Sequence, residues 1–221
     1  MKYNTMVITG SNGATASELI RYFSKVTRHV AGISRLPKED FSESNVKIFT
    51  ADMEKPNEAH DVSNKIISKY KTIDIWVNCI GGFNMGSSIK DDSENWDNMF
   101  KVNFLTCLHG SQEALIHMTN QKMGYIINIG SQAAVDGFPN AAPYLVSKSS
   151  VHMLTRLIAL ENSDNNIRAN AILPGIIDTN MNRDAMPDED FSTWQTPVQI
   201  AKTIEDTIDS GKSGMLISVD N

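Results

Sequence analysis

The sequence predicts an α/β protein: one doubly wound, mainly parallel, seven-stranded sheet with helices on both faces. Three observations carry this. First, seven short runs rich in Val, Ile and Thr recur along the 221 residues, at Thr5–Thr9, His29–Ser34, Val46–Thr50, Ile73–Asn78, Gly124–Ile129, Ile167–Leu173 and Met215–Val219. Several are apolar without strict alternation, as strands covered on both faces are. Second, longer amphipathic stretches fit between them, so strand and helix alternate. Third, a glycine-containing turn, Thr9-Gly10-Ser11-Asn12-Gly13-Ala14-Thr15-Ala16-Ser17, joins the first strand to the first helical segment.

The helices follow in order. Leu19, Ile20 and Phe23 form one apolar stripe. Val62, Ile66, Ile67 and Tyr70 form another, with Pro56 near the helix start. The acidic run Asp91-Asp92-Ser93-Glu94 caps a long helix expected from about Glu94 to Met118. A further helix follows Pro143, with Val146, Val151, Leu154, Ile158 and Ala159 facing inward. The last has Thr196 as N-cap, Pro197 in its first turn, Gln199 completing a capping box and Gly211 past its end. No internal repeat, low-complexity tract or linker interrupts residues 1–221, and the length suits a single domain.

Composition narrows the function classes. The net charge of −6 gives a nucleic-acid partner no electrostatic support. Cys79 and Cys107 lie in apolar stretches and read as buried thiols of a reducing compartment. No run of 18 apolar residues suggests a membrane span, and a strand begins too early for a signal peptide. A cytoplasmic enzyme or binding protein is expected. The five histidines, His29, His60, His109, His117 and His152, lack metal-ligand spacing, so no metal site is expected.

The first turn suits an anion for a physical reason. The first amides of a helix point at the ligand, and the helix dipole favours negative charge. Gly10 can make the tight turn, Gly13 lets the backbone approach a pyrophosphate, and Ala16 is small enough for close helix–strand packing. An ordinary strand–helix turn of small residues looks the same, so the loop alone does not decide.

Residues farther along add to it. Tyr144 and Lys148 stand at i and i+4 on one helix face. A lysine beside a phenol stabilises the phenolate and lowers its pKa, which makes the tyrosine a workable acid or base. Ser131 follows the strand Gly124–Ile129, at the sheet edge where such folds bind ligands. Asn103 is a polar residue within an otherwise amphipathic helix.

In this ordered set the sequence resembles the short-chain dehydrogenase/reductase family, over nearly the whole chain. Thr9-Gly10-x-x-Gly13-x-x-Ala16 is similar to its cofactor loop, with Ser11, Asn12, Ala14 and Thr15 as further contacts. Ala14 departs from the commoner Gly-x-x-x-Gly-x-Gly spacing. Asp52, with Met53, resembles the acidic position that meets adenine, and Asn78-Cys79-Ile80-Gly81 resembles the Asn-x-Ala-Gly stretch. Asn103, Ser131, Tyr144 and Lys148 match the catalytic tetrad, and Pro174-Gly175-Ile176-Ile177-Asp178-Thr179 resembles the turn beside the nicotinamide. The resemblance implies a Rossmann-type NAD(P)-binding domain and hydride transfer between nicotinamide and a carbonyl carbon. Tyr144 would move the proton, Ser131 polarise the oxygen, Lys148 hold the ribose and depress the tyrosine pKa, and Asn103 anchor a water. It also implies a homodimer or homotetramer formed through the helices at 94–118 and 143–162.

Ser34 and Arg35 end the second strand where an acidic residue would favour NAD; an arginine there accommodates a 2′-phosphate, so NADP(H) is expected over NAD(H). Gly82, Phe83, Gln132, Phe138, Met181, Met186 and Trp194 are the expected substrate contacts, with a lid near 178–195 covered by Met181, Met186, Phe191 and Trp194. The lid segment, Gly81-Gly82-Phe83 and the stretch Ala133–Pro139 also resemble the quinonoid dihydropteridine reductases. Three readings stand: a reductase of a small ketone or 3-oxoacyl group, a dihydropterin reductase, and a catalytically inactive NADP-binding regulator.

Overall fold

A computed structural model describes residues 1–36, 41–90 and 92–220. Seven parallel strands form one sheet in the order β3-β2-β1-β4-β5-β6-β7. They are β1 (Tyr3–Thr9), β2 (Thr27–Ser34), β3 (Val46–Thr50), β4 (Ile75–Asn78), β5 (Gly124–Ile129), β6 (Ile167–Leu173) and β7 (Leu216–Ser218). Every expected strand forms. β4 begins two residues later than expected, because Thr72 and Asp74 bond the start of β1 from the preceding loop.

Side chains alternate across the pleat, so each strand feeds two cores. Val7, Ala31, Ile33, Trp76 and Ile126 pack beneath α2 (Pro56–Tyr70), α4 (Thr106–Gln121) and α6 (Ala142–Glu161). Met6, Ile8, Val30, Val77 and Ile127 pack beneath α1 (Ala14–Phe23) and α8 (Pro197–Ser210). Burial of both faces explains why the strands read as continuous apolar runs. The order reverses between β1 and β4, and a doubly wound sheet opens a crevice at that switch point.

The expected helix from Glu94 to Met118 is one rod in three parts: α3 (Ser93–Met99), a π-helical segment (Phe100–Leu105) and α4. Asp92 caps it by accepting Asn95 N–H at 2.9 Å; Asp91 lies outside the described residues. The π turn places Asn103, at 1% exposure, toward the sheet edge. α8 is capped as expected: Thr196 and Gln199 form a reciprocal capping box, and Gly211 closes the helix at φ 66°. Among the described residues no helix is long and apolar enough to cross a membrane. None of their His, Cys, Asp and Glu side chains gather in a group able to hold a metal ion.

Candidate active site

The C-terminal ends of β1, β4, β5 and β6 surround a cleft of about 310 Å³. Its floor and walls include Gly10, Gly13, Gly81, Phe83, Tyr144 and Lys148. Among the described lining residues Lys148 alone is charged.

The turn after β1 is built for a ligand's close approach. Gly10 sits at φ 80°, and a Cβ there would stand 3.2 Å from Ile80. Gly10 and Ser11 both donate to the Ile33 carbonyl, which pins the turn to β2. Gly13 is the N-cap of α1 and supplies no side-chain cap, so no side chain covers the helix's leading amides. Ala14, Thr15 and Ala16 line the cleft at that end. Ser11, expected at the cofactor, instead turns inward: it is fully buried, and a Cβ on Gly32 would stand 2.8 Å from the Ser11 Cβ. Its hydroxyl has no partner among the described residues. Asn12 donates to the Leu36 carbonyl, and Ser34 donates to the same oxygen at 2.9 Å. Arg35 reaches outward, with its guanidinium 4.0 Å from Glu54.

Two expected cofactor contacts belong to the core by their side chains. Met53 is 1% exposed in the cluster beneath α2. Asn78 accepts Trp76 Nε1–H at 2.8 Å and donates to Ser111 and Asn128 at 3.0 and 2.8 Å. Its amide is spent on joining β4, β5 and α4. Asp52 takes up the turn after β3, where Glu54 N–H donates to it at 3.1 Å.

β5 ends at Ile129, and Ser131 follows at 5% exposure. α6 brings Tyr144 and Lys148 to the same place. The Ser131 hydroxyl lies beside the Tyr144 phenol. Burial pushes the Tyr144 phenol above its ordinary pKa, and the neighbouring Ser131 hydroxyl opposes that shift. The Lys148 ammonium donates to the Ile129 carbonyl at 2.9 Å, and burial lowers its own pKa. Lys148 also crowds Gly81, whose Cβ would stand 3.1 Å from Nζ, so the charge faces the cleft floor.

Asn103 is buried beside them. Its Oδ1 accepts Gly82 N–H at 2.9 Å, while its Nδ2 donates to the Gly82 carbonyl and Ser147 Oγ at 3.0 and 3.1 Å. The amide is a bracket between the loop after β4 and α6.

The outer wall is apolar. Phe83 meets the Tyr144 ring edge-on at 4.9 Å and Phe138 at 6.5 Å, and both phenylalanines are partly exposed. Met181, at 80% exposure, hangs over the opening from α7 (Asn180–Ala185). Pro174, Gly175, Ile177 and Thr179 line the cleft beneath it, and Thr179 caps α7. The expected lid carries α7 and is clamped at its base, where Ile177 bridges Gln195. Trp194 belongs to that base: it is 6% exposed and packs on Phe191 at 4.7 Å, so it anchors the lid instead of covering substrate. Met186 lies outside the cleft lining as well. Gln132 is held by Asp136 and Ser218 rather than free for a ligand.

Ile129, Gly130 and Asn182 line the cleft without having been singled out from the sequence; Asn182 enters it from α7. Cys79, within the stretch that resembles the cofactor site, lines it too, and burial pushes its thiol up to about 12, away from the reactive thiolate. His152 was also passed over, although its spacing of i+4 from Lys148 was legible.

The family model described as short chain dehydrogenase matches residues 4–190. The chain belongs to that family. This short-chain dehydrogenase is 30% identical over 198 residues to 3beta-hydroxysteroid dehydrogenase 1 of Eggerthella lenta, covering 85% of this chain and 76% of that one. It is 27% identical over 219 residues to D-beta-hydroxybutyrate dehydrogenase of Rhizobium meliloti, covering 90% and 81%. A solved structure of ElxO with NADP bound superposes with a TM-score of 0.91 at 26% identity, over 100% of this chain and 98% of that one. The protein is therefore an oxidoreductase with a nicotinamide dinucleotide cofactor. The helix N-terminus at Gly13 and the glycine turn fit such a group.

Proposed function

We propose that this short-chain dehydrogenase is an NADP(H)-dependent reductase of a small carbonyl compound, a ketone or a 3-oxoacyl group. The observation that carries the reading is the meeting of the Ser131 and Tyr144 side chains at the cleft, with the Lys148 ammonium at the cleft floor. When bound, the nicotinamide supplies hydride to the carbonyl carbon. Gly10, Gly13 and the first turn of α1 would hold the pyrophosphate, and Lys148 the nicotinamide ribose. Tyr144 gives its proton to the developing alkoxide. Ser131 donates a hydrogen bond to the same oxygen, which orients the carbonyl and favours negative charge there. Phe83, Phe138 and Met181 shield that oxygen from water and suit an apolar substrate body.

An NADPH-oxidation assay with ketones, 3-oxoacyl thioesters and a quinonoid dihydropterin tests this. Turnover of a carbonyl compound is expected. Turnover of the pterin alone selects the second reading, and tight NADP binding with no turnover selects the inactive regulator.

The NADP preference rests on Arg35, which is exposed and only loosely engaged by Glu54. A charge-assisted bond to a 2′-phosphate contributes about 1.5–3 kcal/mol. Arg35→Ala should therefore raise KM for NADPH about tenfold or more and leave KM for NADH nearly unchanged. Equal KM changes for both cofactors would reject the assignment.

A homo-oligomer is also proposed. Val146, Met153, Leu157 and Leu160 expose an apolar stripe on α6, and Ile116 does so on α4. A second copy would cover them isologously. Sedimentation equilibrium should return a dimer or tetramer mass, and Met153→Lys combined with Leu157→Lys should lower it. A monomer mass for the wild type rejects this.

A further inference from the structure

His152 sits on α6 four residues after Lys148 and eight after Tyr144, so it shares their helix face two turns beyond the tyrosine. It is 6% exposed. Its Nε2 accepts the Ser131 backbone N–H at 3.3 Å. The fit is close: a Cβ on Gly130 would stand 2.5 Å from Nε2, so only glycine lets the end of β5 settle on the ring.

The pairing of β5 with β6 explains why Ser131 needs this partner. Gly130 N–H donates to the Ile172 carbonyl at 2.8 Å, and Gln132 N–H to the Pro174 carbonyl at 2.9 Å. In a parallel ladder alternate amides point to opposite sides. The Ser131 N–H therefore faces away from β6, beyond the last paired residue of β4. A buried amide without an acceptor is costly. His152 supplies the acceptor, and a neutral ring accepting at Nε2 carries its proton on Nδ1. Burial, then the charges of Lys148 and Arg156, lower the His152 pKa to about 4, which keeps the ring in its accepting form near neutral pH.

We propose that His152 is a positioning residue: by accepting Ser131 N–H it sets the position of the Ser131 hydroxyl against Tyr144. The inference rests on the reading of Ser131 as the group that binds the substrate oxygen. His152 itself touches neither substrate nor cofactor.

The test compares His152→Phe with His152→Gln. Phenylalanine fills the space without an acceptor; glutamine carries an acceptor on a side chain of similar reach. His152→Phe should lower kcat about tenfold with NADPH affinity unchanged, and His152→Gln should recover most of the loss. In a Ser131→Ala background His152→Phe should cost nothing further, because the two act as one unit. Wild-type kcat in His152→Phe, no recovery in His152→Gln, or an equal loss in the Ser131→Ala background would each overturn the proposal. A measurement on the unaltered protein does not depend on the folding of variants: imidazole ¹⁵N shifts should show His152 Nε2 unprotonated at neutral pH, and a proton there overturns it. Full kcat in Ser131→Ala alone overturns the role given to Ser131 and the effect on turnover with it. A loss in Ser131→Ala with none in His152→Phe overturns His152 alone.

Discussion

Tyr144→Phe is expected to lower kcat by a factor of about 10²–10⁴, the range for losing a positioned general acid. Cofactor affinity should stay within about twofold, because the turn after β1, the α1 N-terminus and Lys148 are untouched. The change removes one hydroxyl and keeps the ring, so the edge-on contact with Phe83 at 4.9 Å survives. The fold should lose about 1 kcal/mol or less, the most that removing one hydroxyl with a single polar neighbour, Ser131, should cost. The pH profile gives a second check. Burial raises the Tyr144 pKa, so in the direction of carbonyl reduction the acid stays protonated through neutral pH. The rate should hold there and fall on the alkaline side as the phenol ionises. In the oxidative direction the phenolate is the base, and the rate should rise with pH. Tyr144→Phe should remove that limb in both directions. Turnover near the wild-type level would show that another group moves the proton.

Gly110→Ala should be among the most destabilising single methyl additions, at about 3–5 kcal/mol. Gly110 lies in α4, where alanine normally favours the helix by about 1 kcal/mol. Here sterics win. The new Cβ would stand 2.1 Å from Asn78 Oδ1 and 2.9 Å from Trp76 Nε1. Neither can give way cheaply, because both belong to a buried chain of hydrogen bonds: Trp76 to Asn78, Asn78 to Asn128, and Asn128 to Thr155 at 2.8 Å. That chain joins β4, β5 and α6. Moving Asn78 leaves several buried polar atoms unpaired, each at about 1–3 kcal/mol. For a chain of this size the thermal midpoint should fall by about 10 °C. Asn78 also leads directly into the cleft-lining Cys79 and Gly81, so NADPH affinity should drop with it. An unchanged or higher midpoint would show that the network repacks freely.

The fold was legible because its signals are local and repeated. β5 and β6 run as expected, since a strand buried on both faces has no polar alternation to confuse it. Thr196, Pro197 and Gln199 state the start of α8 within four residues, and the capping box is there. The long helix before α4 was legible in extent but not in form. Nothing local marks a π segment; it follows from where the Asn103 amide finds its partners, on Gly82 and Ser147.

The candidate site divides in the same way. Gly10, Gly13, Tyr144 and Lys148 could be placed from the sequence because turn chemistry and helix periodicity set which way they face. Met53, Trp194 and Gln132 could not, because a side chain's direction outside regular periodicity depends on what packs against it. The sequence by itself determined the order of elements, the glycine turn after β1 and the shared face of Tyr144 and Lys148. Tertiary structure alone decided that Lys148 turns to the Ile129 carbonyl, that Asn103 brackets Gly82, and that His152 lies behind Ser131. These last three are contacts between residues distant in the chain, and they exist only once parallel pairing fixes the register of β5 against its neighbours.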